Sequence, residues 1–206
     1  MMIHDEENVS RVIVILEDFR KNKNKAPIDR TELLLTLRGF FADEENKILA
    51  KCMEVYPSFY ISPASCKYHG AYEGGLFDHS IAVFEAALKL AKIHEVNYVD
   101  PVACILHDLC KVGSYGVDTI KSTPEKPVFK YCENLGLPHG SESLRRILGL
   151  GYPLTGENWQ FAVAYHMGAF NTNTEDTINF GKMCERYHEV LLLHNADMVA
   201  SKIYDV

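Results

Sequence analysis

Two carboxylates fall where a protein core rejects them. Asp108 comes directly after Val102-Ala103-Cys104-Ile105-Leu106 and His107, and Asp197 lies within a segment carrying Val190, Leu191, Leu192, Leu193, Ala196, Met198, Val199 and Ala200. An isolated buried carboxylate is too costly to leave bare, so each needs a cation, a hydrogen-bond network or a route to solvent. A metal ion would satisfy both, and His79 and His107 can supply neutral nitrogen ligands beside them. A mixed imidazole and carboxylate set suits a divalent transition ion (Mn, Fe, Co, Ni or Zn, with Mg also admissible) better than calcium, which prefers oxygen alone. His94 and His188 are left out, because a lone helical histidine is more often a surface or hydrogen-bonded residue.

The elements that must position these residues read as helices throughout, since apolar side chains recur at helical spacing and β-branched alternation is short and rare. Residues 7–21, 30–39 and 42–55 form three expected N-terminal helices, separated by the polar stretch Asn22 to Lys25 with Pro27 and by Gly39. The segment Lys67 to Gly75 carries glycines that suit a loop passing close to other backbone. A largely apolar helix is expected from about Asp78 to His94, with only Glu85, Lys89 and Lys92 as a polar stripe. Asp100 can cap the next helix, and Pro101 suits its first turn. Between Gly113 and Gly136 the periodicity fails, and Val117 to Ile120 with Val128 to Tyr131 can make a short hairpin. Further helices are expected at about Ser141 to Leu148, Glu157 to Tyr165 and Arg186 to Lys202. The last is apolar nearly all round and so central to the fold.

Three separate stretches then carry a family resemblance. Gly74-Gly75-Leu76-Phe77-Asp78-His79-Ser80, Leu106-His107-Asp108-Leu109-Cys110-Lys111 and Asn195-Ala196-Asp197 resemble, in order and spacing, the H…HD…D signature of HD-domain phosphohydrolases. The resemblance covers about residues 60 to 205. It implies an all-α HD-domain helical bundle with His79, His107, Asp108 and Asp197 converging on metal in one cleft. The expected organisation is a single domain over 1–206, with an N-terminal helical extension at 1–59, a metal-binding core at 60–206 and a short β-hairpin insertion. His139 and His166, in Leu137-Pro138-His139-Gly140 and Ala164-Tyr165-His166-Met167, resemble positions at which some HD proteins hold a second ion, so one or two ions are expected. His69, in Tyr68-His69-Gly70-Ala71-Tyr72, resembles a histidine that precedes the first metal motif in the HD domains of bacterial 3′ to 5′ exoribonucleases, and is assigned to substrate contact.

The chemistry implied is phosphoester hydrolysis, because a bound divalent ion can lower the pKa of water from about 15.7 toward about 7 and make hydroxide available to attack phosphorus. Asp108 would ligate and orient that water, and Lys111 would contact a phosphate oxygen as both a catalytic and a substrate-binding group. The usual small residue between the HD pair and its lysine is Cys110 here. Cys110 could itself serve as a nucleophile, though nothing in the spacing demands it. The segment that marks cyclic dinucleotide phosphodiesterases and the acidic pair of stringent-response nucleotide hydrolases are both absent.

Composition bounds the partners. The chain has 206 residues, 47% hydrophobic and 24% charged, as ordinary globular proteins do, and its net charge of −7 opposes tight nonspecific binding to a nucleic-acid backbone. The main expectation is therefore a hydrolase for a small phosphorylated metabolite, foremost a nucleotide. Exonuclease action on RNA or single-stranded DNA is the alternative enzyme, and a metal- or nucleotide-binding module without turnover is the non-enzymatic one. The start lacks the basic segment and apolar run of a signal peptide, and no apolar run is long enough to span a membrane, so the cytoplasm is the expected location. Six cysteines without paired spacing read as reduced thiols, mostly in the core.

Overall fold

Val9, Val12, Leu16 and Phe19, three and four residues apart, give the first helix, α1 (Glu6–Asn22), a single buried stripe. The computed structural model describes residues 1–2, 5–22, 30–123, 126–132, 137–154, 156–170 and 174–206. Short helices α2 (Arg30–Leu37) and α3 (Asp43–Val55) follow. Next comes α4 (Gly75–Ile93), buried almost all round. The chain continues through α5 (Pro101–Leu106), the strands β1 (Tyr115–Val117) and β2 (Phe129–Tyr131), α6 (His139–Gly149), α7 (Glu157–Tyr165), α8 (Thr174–Arg186) and α9 (His188–Val199). The result is an all-α bundle with one short antiparallel hairpin. Helix α4 packs against α1, α5 and α9, and α9 packs in turn on α7, so the two most apolar helices form the centre. Residues from α1 through α9 contribute to one apolar core. None of the helices among the described residues is long and apolar enough to cross a membrane.

Several boundaries differ from those expected. Helix α4 starts at Gly75, three residues early, because Gly74 takes a left-handed conformation (φ +83°) that turns the chain into it. A Cβ at Gly75 would lie 2.1 Å from the Gly70 carbonyl oxygen, so only glycine allows the 61–74 loop to cross the helix start this closely. Ala64 N–H donates to Gly70 O (2.9 Å), Gly74 N–H to Ile61 O (3.0 Å) and Leu76 N–H to Ser62 O (2.9 Å), fastening the loop to the first turn of α4. The hairpin pairs Tyr115 with Tyr131 and Val117 with Phe129, two residues earlier on its first strand than expected. Asp118 ends that strand, because its carboxylate accepts from the Ile120 and Lys121 amides (3.1 and 3.3 Å) and turns the backbone. Helix α8 was not anticipated. The expected last helix is present as α9, starting two residues later because Tyr187 (φ −134°) is extended and precedes its first turn, and it runs on into a π-helical turn at Ala200–Tyr204.

The polar stripe of α4 is used inward. Glu85, fully buried, accepts two hydrogen bonds from the Arg20 guanidinium of α1 (2.8 and 2.9 Å) and one from Lys89 (2.7 Å), while Arg20 stacks over the Tyr204 ring at 3.8 Å. Removing one partner of a buried ion pair leaves a charge uncompensated in a low dielectric. Arg20→Met is therefore expected to lower stability by about 2 to 4 kcal/mol in urea denaturation; an unchanged midpoint would show that Lys89 alone satisfies Glu85.

Candidate active site

Helix α5 delivers the His-Asp pair. Asp100 caps it by accepting from the Ala103 amide (3.0 Å), and Pro101 opens its first turn. The helix ends at His107, whose Nδ1–H donates to Cys104 O one turn back (2.9 Å). Asp108 then begins a tight 3-10 turn through Lys111. His79, on the first turns of α4, donates from Nδ1 to the main-chain oxygen of Val206 (2.9 Å), and His166, just beyond α7, does the same to Val163 O (2.7 Å). In three histidines from three elements, then, the Nδ1 hydrogen is committed to a main-chain oxygen. In the neutral form of each ring, Nε2 then presents a lone pair.

Those lone pairs converge on carboxylates. His79 Nε2 is 3.2 Å from Asp197 Oδ1 and 3.7 Å from Asp108 Oδ2, His107 Nε2 is 3.4 Å from Asp108 Oδ2, and His166 Nε2 is 3.3 Å from Asp108 Oδ1. Each of these nitrogens is buried, and none has a hydrogen-bond partner. Asp108 faces two ways: Oδ2 meets His79, His107 and Lys111 Nζ (2.6 Å), while Oδ1 meets His166 and His139 Nε2 (2.5 Å). Its pKa is held well below the carboxylate range: burial opposes this, and Lys111, His107 and His139 outweigh it. Asp197 is depressed in the same manner against burial, chiefly by His79 and His107. Burial pushes His107 and His139 down toward the neutral imidazole, whereas at His166 burial is outweighed by the Asp108 carboxylate and the pKa rises. For Lys111 burial is again outweighed by Asp108, so the ammonium stays charged.

All the site residues singled out from the sequence thus lie together. His79, His107 and Asp108 offer ligand atoms within 4.8 Å of one another, as do His107, His166 and Asp197, and Asp108, Cys110 and His139. Uncharged imidazole lone pairs facing carboxylate oxygens repel, and a cation between them reverses the sign of the interaction, so this donor set fits a divalent ion. His69 packs its ring 4.8 Å from that of His79, with both nitrogens buried and unpartnered, and burial followed by His79 and Lys111 lowers its pKa to about 4. His94 and His188 are exposed and away from the cluster. Cys110 is a poor nucleophile, because burial and then Asp108 push its thiol up to about 12.

Other residues support the site without having been found in the sequence. Ser143 Oγ on α6 accepts from the Cys110 amide (3.1 Å), and Arg146 donates to the carbonyls of Leu109 (2.9 Å) and Val112 (3.0 Å), clamping the turn that holds Asp108 and Lys111. Arg146 is itself fixed by Glu142 (2.8 Å). His194, one turn before Asp197 on α9, bonds from Nδ1 to His166 O (2.6 Å). Arg30 forks onto Asp78 (2.9 and 3.0 Å), which also accepts from Tyr72 Oη (3.0 Å), anchoring the residue next to His79.

Fold and cluster together define an all-helical protein whose centre carries buried histidines and aspartates able to hold a metal ion. The chain is 28% identical over 152 residues to the dihydroneopterin 2′,3′-cyclic phosphate phosphodiesterase of Methanocaldococcus jannaschii, a match covering 70% of this chain and 53% of that protein. The chain thus spans about half the length of the curated relative it matches. No protein-family model matches it, and no solved structure does. Similarity to a phosphodiesterase is consistent with phosphohydrolase chemistry.

The α6 clamp has a pH signature. Hydrogen bonds from Arg145 first, against burial and with help from Arg146, lower the Glu142 pKa from its ordinary 4.5 to about 2. A depressed carboxylate contributes stability that is fully present above the unfolded value and lost as pH falls through the folded one. The stability difference between wild type and Glu142→Gln should accordingly shrink as pH is lowered from about 5 to about 2.5 in urea titrations. A difference that does not change with pH would mean that Glu142 acts only through packing.

Proposed function

We propose that this chain is a metal-dependent phosphodiesterase of the HD type, hydrolysing a phosphodiester in a small phosphorylated metabolite. The observation that carries this reading is the convergence of the unpartnered His79, His107 and His166 Nε2 atoms on Asp108 and Asp197. His79, His107, Asp108 and Asp197 would hold one ion. The two-sided contacts of Asp108 allow it to be shared with a second ion held by His139 and His166. A divalent ion bound here supplies Lewis-acid polarisation of a phosphoryl oxygen and a lowered pKa for water.

The protein groups supply the rest. Asp108, kept ionised, fixes ligand geometry and orients the attacking water. Lys111 is a permanent cation on the less enclosed side of the cluster and would compensate charge that builds on the phosphoryl oxygens during in-line displacement. His69, neutral at physiological pH, would hydrogen-bond the substrate without adding charge. The relative is named for a small cyclic diester, dihydroneopterin 2′,3′-cyclic phosphate, and its similarity favours a small diester over a polynucleotide for this chain as well.

The test uses protein loaded with Mn²⁺, Co²⁺ or Fe²⁺ and assayed on 2′,3′-cyclic phosphates and on labelled oligonucleotides. Cyclic phosphate opening is expected, lost in chelator and reduced at least about a hundredfold in Asp108→Ala while helical circular dichroism is retained. Metal analysis of His79→Ala and Asp197→Ala should show reduced bound ion independently of activity. Full turnover by Asp108→Ala, or by chelator-treated protein, would overturn the reading.

A further inference from the structure

The cluster is closed on most sides: His79, His107 and His166 have no exposed surface, whereas the side chains of His139, Asp197 and Lys111 are 26%, 18% and 12% exposed. Access therefore runs past His139, Asp197 and Lys111. Beside His139 and Lys111 lies a small cleft of about 130 Å³, lined in part by Lys111, His139, Glu142, Tyr115, Tyr131 and Leu137.

The outer wall comes from the hairpin. Because Tyr115 and Tyr131 are paired directly across it, their rings lie on one face, 6.1 Å apart and nearly edge to face. Tyr115 is half-buried, but Tyr131 leaves 63% of its surface exposed and Leu137 leaves 53%, an apolar strip beside a fixed cation. Charge at one end and uncovered aromatic surface at the other describe a ligand with an anionic group joined to a flat ring. Between the tyrosines, Gly116 passes close to Cys132, where a Cβ would come within 2.9 Å of Sγ.

We infer that Tyr131, with Tyr115 behind it, forms the subsite for a planar heterocycle, so that the hairpin selects substrates whose phosphodiester is attached to an aromatic ring system. This rests on reading the adjacent cluster as the phosphate site. It goes further by assigning recognition of the organic group to residues outside that cluster. Stacking of a base on an aromatic side chain contributes about 1 to 3 kcal/mol, which is roughly five- to a hundredfold in affinity.

Two probes share a five-membered cyclic phosphate and only the first carries a base: guanosine 2′,3′-cyclic phosphate and glycerol 1,2-cyclic phosphate. Calorimetric binding to Mn²⁺-loaded protein under conditions of negligible turnover, together with KM and kcat, is compared for wild type, Tyr131→Ala and Tyr131→Phe. Wild type should bind the guanosine compound at least about tenfold more tightly. Tyr131→Ala should lose that advantage, with Kd and KM for the guanosine compound rising toward those for the glycerol compound, and Tyr131→Phe should retain it. Equal affinity of wild type for the two probes, no binding of the guanosine probe, or an undiminished advantage in Tyr131→Ala overturns the subsite. Ring-dependent binding without any hydrolysis would sink the catalytic reading and leave the subsite standing.

Discussion

The structure is organised around buried imidazoles and carboxylates whose close approach requires positive charge between them. Asp108 has 2% of its side chain exposed and is surrounded by four imidazole nitrogens and one ammonium. Three of those imidazoles, at His79, His107 and His166, have spent their Nδ1 hydrogens on main-chain oxygens, leaving lone pairs aimed at the carboxylates. Lys111 relieves part of the problem at Oδ2, but one ammonium cannot satisfy nitrogens that face both Asp108 and Asp197. A divalent ion meets both demands at once, since its charge compensates the carboxylates and its empty orbitals take the imidazole lone pairs.

Much of the remaining structure keeps that arrangement from relaxing. Backbone acceptors fix each ring plane, the usual support behind metal-bound histidines. The Glu142, Ser143 and Arg146 clamp on α6 holds the turn after Asp108, and the Arg30 and Tyr72 contacts to Asp78 hold the first turns of α4. Far from the cluster, the Arg20, Glu85 and Lys89 network joins α1 to α4, so the N-terminal helices share the core on which His79 depends. Rigidity at the centre and exposure at the hairpin divide the labour between charge placement and ring recognition.

What the sequence disclosed followed the range of the interactions concerned. Helix starts set by local chemistry, such as the Asp100 cap with Pro101, were legible, as were residues made conspicuous by their surroundings, Asp108 among Ile105 and Leu106 above all. Joining them to His79 and Asp197 took the motif resemblance, because nothing local links positions so far apart. Helix α8 escaped because Gly181 and the polar run Thr174 to Thr177 mask a weak apolar stripe of Phe180, Met183 and Cys184 that packs on the core. The expected hairpin is present, but its first strand ends earlier than the sequence suggests because the Asp118 carboxylate turns the backbone. The pairing of Arg146 with Leu109 and Val112 spans more than thirty residues and has no signature in either segment.

The likeness to an archaeal phosphodiesterase extends over about half of that protein, and the physical argument for a metal centre stands apart from it. X-ray absorption at the edge of Mn or Co in stoichiometrically reconstituted protein addresses that centre most directly. A mixed nitrogen and oxygen shell with imidazole outer-shell scattering, lost on replacing His79 and His107 together, is the result predicted here. An all-oxygen shell without imidazole scattering would contradict the central claim.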